Sequence, residues 1–140
     1  MEYRCLDGTF VLRLDPGDEV MESLRLLCER ENIRLGTVYG LGAADRAELG
    51  LYRVDEKRLY PRVFEGPMEI TSITGNITDQ EGAVYLHLHA TLCGADLQAV
   101  GGHLLSCRIA ATGELFVHPM KGQVHRQKDD YTGLNIFRFS

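Results

Sequence analysis

The chain contains no tryptophan, only four prolines and four cysteines in 140 residues, and no surplus of positive charge. Each shortage excludes something. Cys5, Cys28, Cys93 and Cys107 lie far apart and form no CxxC pair, and a domain of this length needs no covalent staples. Buried thiols in a reducing compartment are therefore expected. No stretch approaches the roughly 18 consecutive apolar residues of a membrane span, and Met1-Glu2-Tyr3-Arg4-Cys5-Leu6-Asp7 lacks the apolar core of a signal segment. The expectation is a cytoplasmic protein without membrane contact. Fifteen Lys and Arg against twenty Asp and Glu leave a formal charge of -5, which provides no general attraction to phosphate backbones. Gly36, Gly40 and Gly42 do not spell GxGxxG, and no GxxxxGK[ST] occurs, so Rossmann and P-loop readings are excluded.

What is present describes an ordinary globular chain. With 44% hydrophobic and 25% charged residues it can bury a core and should fold as a single domain over residues 1–140. The fold class expected is α/β, a mixed and mostly antiparallel sheet packed by one principal helix. Glu2 to Leu14 reads as extended, with Phe10, Leu12 and Leu14 on one face. Asp15 is placed to cap a helix with Pro16 in its first position, and Val20, Leu24, Leu27 and Cys28 recur at helical spacing until about Asn32. Strands are expected from Ile33 to Tyr39, Ala47 to Val54 and Leu59 to Phe64. After a break at Gly66-Pro67, Met68 to Ile77 and Ala83 to Cys93 form a hairpin through Thr78 to Gly82. Leu97 to Gly101 reads as a loop or brief helical turn before the apolar run His103 to Phe116. Lys121 to Asp130 is polar enough for a mobile loop, and Leu134 to Phe139 closes the chain as a short strand.

Chemistry concentrates in Tyr85-Leu86-His87-Leu88-His89-Ala90-Thr91. Strand alternation puts the apolar residues on one face and Tyr85, His87, His89 and Thr91 on the other. Two imidazoles in adjacent positions on that face can converge on one ion. His103 follows Gly101-Gly102, where the backbone could turn closely and return a third imidazole. Three neutral imidazoles with an open fourth position suit Zn2+, with other divalent metals compatible. The same spacing also suits surface or hydrogen-bonded histidines, and both readings stand at this point. Glu69, at the entry to the Ile70-Thr71-Ser72 strand, could act as a carboxylate beside the metal or remain a solvated strand-entry charge. Arg108 could meet an anionic ligand or form a salt bridge. His118, before Pro119, and His125, in a charged segment, read as structural or solvated, and Cys107 has no evident catalytic partner.

The ordered motifs Leu14-Asp15-Pro16-Gly17-Asp18, Gly40-Leu41-Gly42, Met68-Glu69-Ile70-Thr71-Ser72-Ile73-Thr74-Gly75-Asn76-Ile77, Leu86-His87-Leu88-His89 and Gly101-Gly102-His103-Leu104 resemble those of the PPC domain, the plant and prokaryote conserved domain also called DUF296. The resemblance covers nearly the whole chain and implies a compact homotrimer. It also implies an association with DNA, which plant members contact through separate AT-hooks of the Arg-Gly-Arg-Pro type; none occurs here. The fold further resembles acetolactate decarboxylase, whose zinc is held by three histidines. That likeness implies His87, His89 and His103 as ligands and Glu69 as a nearby carboxylate.

Two functions follow as expectations. The first is a homotrimeric PPC-domain binding and assembly protein, carrying a three-histidine metal site and associated with DNA or a protein partner. The second is a zinc-dependent enzyme or sensor for a small carbonyl or carboxylate compound, with Glu69 and Arg108 the candidate catalytic residues.

Overall fold

The computed structural model describes residues 1–139. The chain begins with a hairpin, β1 (Glu2–Leu6) and β2 (Thr9–Leu14), where the sequence suggested one extended run. Asp7 and Gly8 both take positive φ, 48° and 77°, the geometry of the tightest hairpin turns.

Helix α1 runs from Val20 to Arg30, with Glu19 as its cap accepting the Glu22 N–H at 2.7 Å. The expected cap at Asp15 is thus corrected. Asp15 to Asp18 instead closes a turn, with the Asp18 N–H donating to the Asp15 carbonyl at 3.0 Å and Gly17 at φ 92°. Proline followed by a positive-φ glycine is the type II pattern, and here it outweighs the reading of Pro16 as a first helical residue. The helix ends where expected: Asn32 takes φ 52°, and the Ile33 N–H reaches back to the Cys28 carbonyl at 2.8 Å, a Schellman stop.

Two long strands follow, β3 (Gly36–Arg53) and β4 (Arg58–Gln80). The sequence suggested shorter strands broken at Gly40 to Gly42 and at Gly66-Pro67. Both breaks are bulges inside continuous strands, visible as register shifts at Gly40/Gly42 and Ala44/Arg46. A bulge tolerates the missing proline N–H and the positive φ of Gly66, so the strand bends without ending. β5 (Ala83–Cys93) and β6 (Ala99–Pro119) form the next hairpin. Its turn spans Gly94 to Leu97, closed by the Leu97 N–H on the Gly94 carbonyl, and Ala99 to Gly101 are strand where a loop or brief helical turn was expected. The segment read as a mobile loop contains β7 (His125–Lys128), which pairs with β8 (Asn135–Arg138).

Among the described residues all eight strands join one sheet. Pairing is antiparallel except for a single parallel contact of β4 with β7 at Asp79 and His125. β3 pairs with β4, β4 with β5, β5 with β6, and β6 returns to β3. These four strands therefore close a circuit, which shelters most of their edges. Leu86, Leu88, Ala90 and Leu92 of β5 point into the core with Ile70, Ile73, Leu104 and Ile109, and α1 adds Val20, Leu24, Leu27 and Cys28. The Glu19 carboxylate accepts the Cys107 N–H at 2.7 Å and ties the helix start to β6. With Leu86 to Leu92 inward, the intervening residues of β5 must face out, and that outer face carries the site. Among the described residues no helix is long and apolar enough to cross a membrane.

Candidate metal centre

The antiparallel register places His89 of β5 directly opposite His103 of β6. His87, two residues back on the same face of β5, completes a triangle with ring centroids 5.3, 5.2 and 5.6 Å apart. One nitrogen from each ring lies within 4.8 Å of the other two. An ion bound about 2.1 Å from each nitrogen sits about 3.2 Å from each ring centroid, and tetrahedral angles then separate the centroids by about 5.2 Å. The observed centroid spacings fall close to that value.

Gly101-Gly102 does not turn the chain, contrary to the sequence reading. The Gly94 to Leu97 turn and the β5–β6 register return His103. Gly102 instead permits β6 to lie close to β3, since a Cβ there would stand 2.8 Å from the Gly50 carbonyl oxygen. Gly75 plays the same part across β4 and β5, where a Cβ would fall 2.1 Å from the His87 carbonyl oxygen.

Burial keeps two of the imidazoles in the form that binds metal. Burial, reinforced by His103, Arg126 and His89, pushes the His87 pKa down to about 4. Burial and then His89 lower that of His103. Neutral imidazole is the ligating species, so both are available without competition from a proton near neutral pH.

The histidines form the floor of a cleft of about 800 Å³. One wall comes from the C-terminal segment, and its principal residue, Arg126, has no counterpart in the sequence reading. Its Nε donates to Thr78 Oγ1 at 2.8 Å, one terminal nitrogen to the Asn135 carbonyl at 2.7 Å and the other to Asn76 Oδ1 at 2.7 Å. The guanidinium lies 4.4 Å from the Tyr85 ring centroid and 4.7 Å from that of Phe137. Asn76 is the β4 partner opposite His87. Tyr85 was legible, since it shares the outer face of β5 with the histidines. Arg126 was not, because an arginine in a polar stretch has no periodicity to mark it.

The structure does not bring Glu69 or Arg108 into this cleft. Glu69 is exposed and pairs with Cys93, four residues or about 13 Å of strand beyond His89. Arg108 forms a 2.7 Å ion pair with Asp45, the bland alternative for that residue. His118 pairs with Thr9 Oγ1 at 3.0 Å and His125 with Asp79 at 3.2 Å. All four cysteines are free, three buried and Cys5 exposed, which corrects the expectation of four buried thiols.

Comparison with known proteins places these features in context. The model of the Plants and Prokaryotes Conserved (PCC) domain, the PPC domain, matches residues 1–121. A candidate DNA-binding protein from Bacteroides thetaiotaomicron is 30% identical, with a TM-score of 0.96 over 99% of this chain and 96% of that one. A metal-containing protein from Archaeoglobus fulgidus is also 30% identical, with a TM-score of 0.88 over 99% of this chain and 97% of that one. A Staphylococcus aureus protein similar to alpha-acetolactate decarboxylase shares the fold at 14% identity, with a TM-score of 0.59 over 82% of this chain and 53% of that one. No curated protein matches the chain.

Proposed function

The chain belongs to the Plants and Prokaryotes Conserved domain family, and from that premise we propose that it is a divalent-metal domain, Zn2+ by preference, whose three-histidine centre receives a small-molecule ligand. The observation that carries this reading is the convergence of His87, His89 and His103 at the floor of a cleft. The metal-containing Archaeoglobus relative supports it. His87, His89 and His103 would hold the ion, which in such a site supplies Lewis-acid polarisation of a bound oxygen or a water of lowered pKa. The chain's own contribution is to keep His87 and His103 neutral by burial, orient the three rings by strand register and wall the ligand with Tyr85 and Arg126. The test is zinc titration by calorimetry with elemental analysis of the product. One zinc per chain is expected, with loss of binding when all three histidines are replaced by alanine; undiminished binding in that variant would overturn the reading.

Assembly as a homotrimer in a reducing cytoplasm belongs to the same proposal. Leu41, Leu51, Val54 and Val63 are exposed on or beside the two long strands, and apolar sheet surface of this kind favours a closed ring of identical contacts. Light scattering should return three times the 15.7 kDa chain mass, and a monomer at all micromolar concentrations would contradict it.

Association with DNA is the second reading, favoured by the candidate DNA-binding relative from Bacteroides. The charge of -5 opposes it. Anisotropy at about 0.1 M salt should give a duplex Kd weaker than about 1 µM; nanomolar affinity would restore DNA to first place.

A further inference from the structure

The cleft contains an uncompensated positive charge. Among the described residues that line it there is neither aspartate nor glutamate, and no described carboxylate forms an ion pair with Arg126, whose remaining surroundings are Thr78, Asn76, the Asn135 carbonyl and two aromatic rings. A guanidinium held only by neutral partners stays charged, and its half-buried position raises the cost of leaving that charge unmatched. Three of its five N–H groups are engaged, which leaves two for a ligand. Arg126 binds Asn76, the partner of His87, and stacks on Tyr85, about 7 Å of strand from His87 on the same face. A dication at the three imidazoles would add to this charge, inside a chain that is negative overall. The remaining walls are apolar, from Leu51, Leu59, Leu134 and Ile136.

We propose that the ligand of this cleft is a small organic carboxylate with an apolar body, anchored through its anionic group by Arg126. This deepens the metal-centre reading and rests on it for the second anchoring point. Arg126 and Phe137 both lie beyond residue 121, where the family model ends. The anionic anchor is therefore supplied by the C-terminal β7–β8 segment, and the histidine floor by β5 and β6.

The test uses the full zinc-loaded chain and calorimetric titration with benzoate, with its uncharged isostere benzamide, and with inorganic phosphate. Benzoate should bind about tenfold or more tighter than either alternative, and Arg126→Gln should weaken benzoate by about tenfold or more while retaining one zinc per chain, as expected for loss of a charge-assisted contact. Unchanged benzoate affinity in Arg126→Gln, no benzoate binding by the wild-type chain, or a preference for phosphate would each overturn the proposal. Should Arg126→Gln fail to fold by circular dichroism, Arg126→Lys replaces it; the planar fork is lost with the charge retained, and an intermediate benzoate affinity is expected, full affinity refuting the role of Arg126. Should the wild-type chain take up no zinc, the metal reading alone fails. The same titrations on the metal-free chain then decide the Arg126 subsite, where a weaker benzoate preference must persist and must vanish in the variant.

Discussion

The floor and the wall of the cleft were built by different kinds of information. The floor is a local product: alternation along β5 sends Leu86, Leu88 and Ala90 inward and so presents His87 and His89, and one hairpin brings His103 opposite. The wall is a product of distance, since Arg126 reaches Thr78 and Asn76, which lie 48 and 50 residues away in sequence. The floor lies within residues 1–121, whereas Arg126 and Phe137 of the wall lie beyond them, in a segment that the similar solved structures also cover.

The comparison predicts different responses to substitution. Undercutting the floor should have the largest effect. Leu88 is fully buried beneath the two histidines, so Leu88→Ala should cost about 2–5 kcal/mol in denaturant unfolding and weaken metal binding with it. His89→Ala leaves the core intact and should lower zinc affinity by at least about 100-fold, beyond the usual effect of a ligand's supporting partner, with little change in unfolding midpoint. On the wall, Phe137→Ala removes one of the two rings against Arg126. It should cost about 1 kcal/mol of stability and weaken benzoate a few-fold, with the zinc stoichiometry unchanged. A loss of zinc in that variant would show that wall and floor are not separable.

Acid should reach the floor through His87. In the metal-free chain the His87 pKa is about 4 when folded against an ordinary value of 6.5. As pH falls below 6.5 the unfolded chain takes up the proton first, so stability is drained progressively down to about 4 and levels off beneath. His87→Gln should flatten that part of the pH–stability curve; an unchanged slope would remove His87 as its source.

The same division explains what could be read before the structure. Strand alternation and helical spacing are short-range, and they located the core face of β5, the helix and the His87–His89 pair; His103 was reached through the family resemblance and a Gly101-Gly102 turn that proved to be continuous strand. Asp15-Pro16-Gly17 was misassigned because the same residues serve a helix start and a type II turn, and only the Asp15–Asp18 hydrogen bond distinguishes them. Gly66-Pro67 signalled a break, but pairing of β4 with β3 on both sides carries the strand through as a bulge. Glu69 had suitable chemistry on β4, the strand beside β5, yet its register partner Cys93 puts it away from the histidines. Arg126 lies in a polar segment whose order depends on partners remote in sequence, which no local pattern records.

The most direct test of the central claim is X-ray absorption at the zinc edge on the loaded chain. The account predicts three imidazole nitrogens at about 2.0–2.1 Å completed by oxygen donors, with the imidazole signal reduced in His103→Ala. A spectrum with sulfur donors, or with fewer than three imidazoles in the wild-type chain, would contradict it.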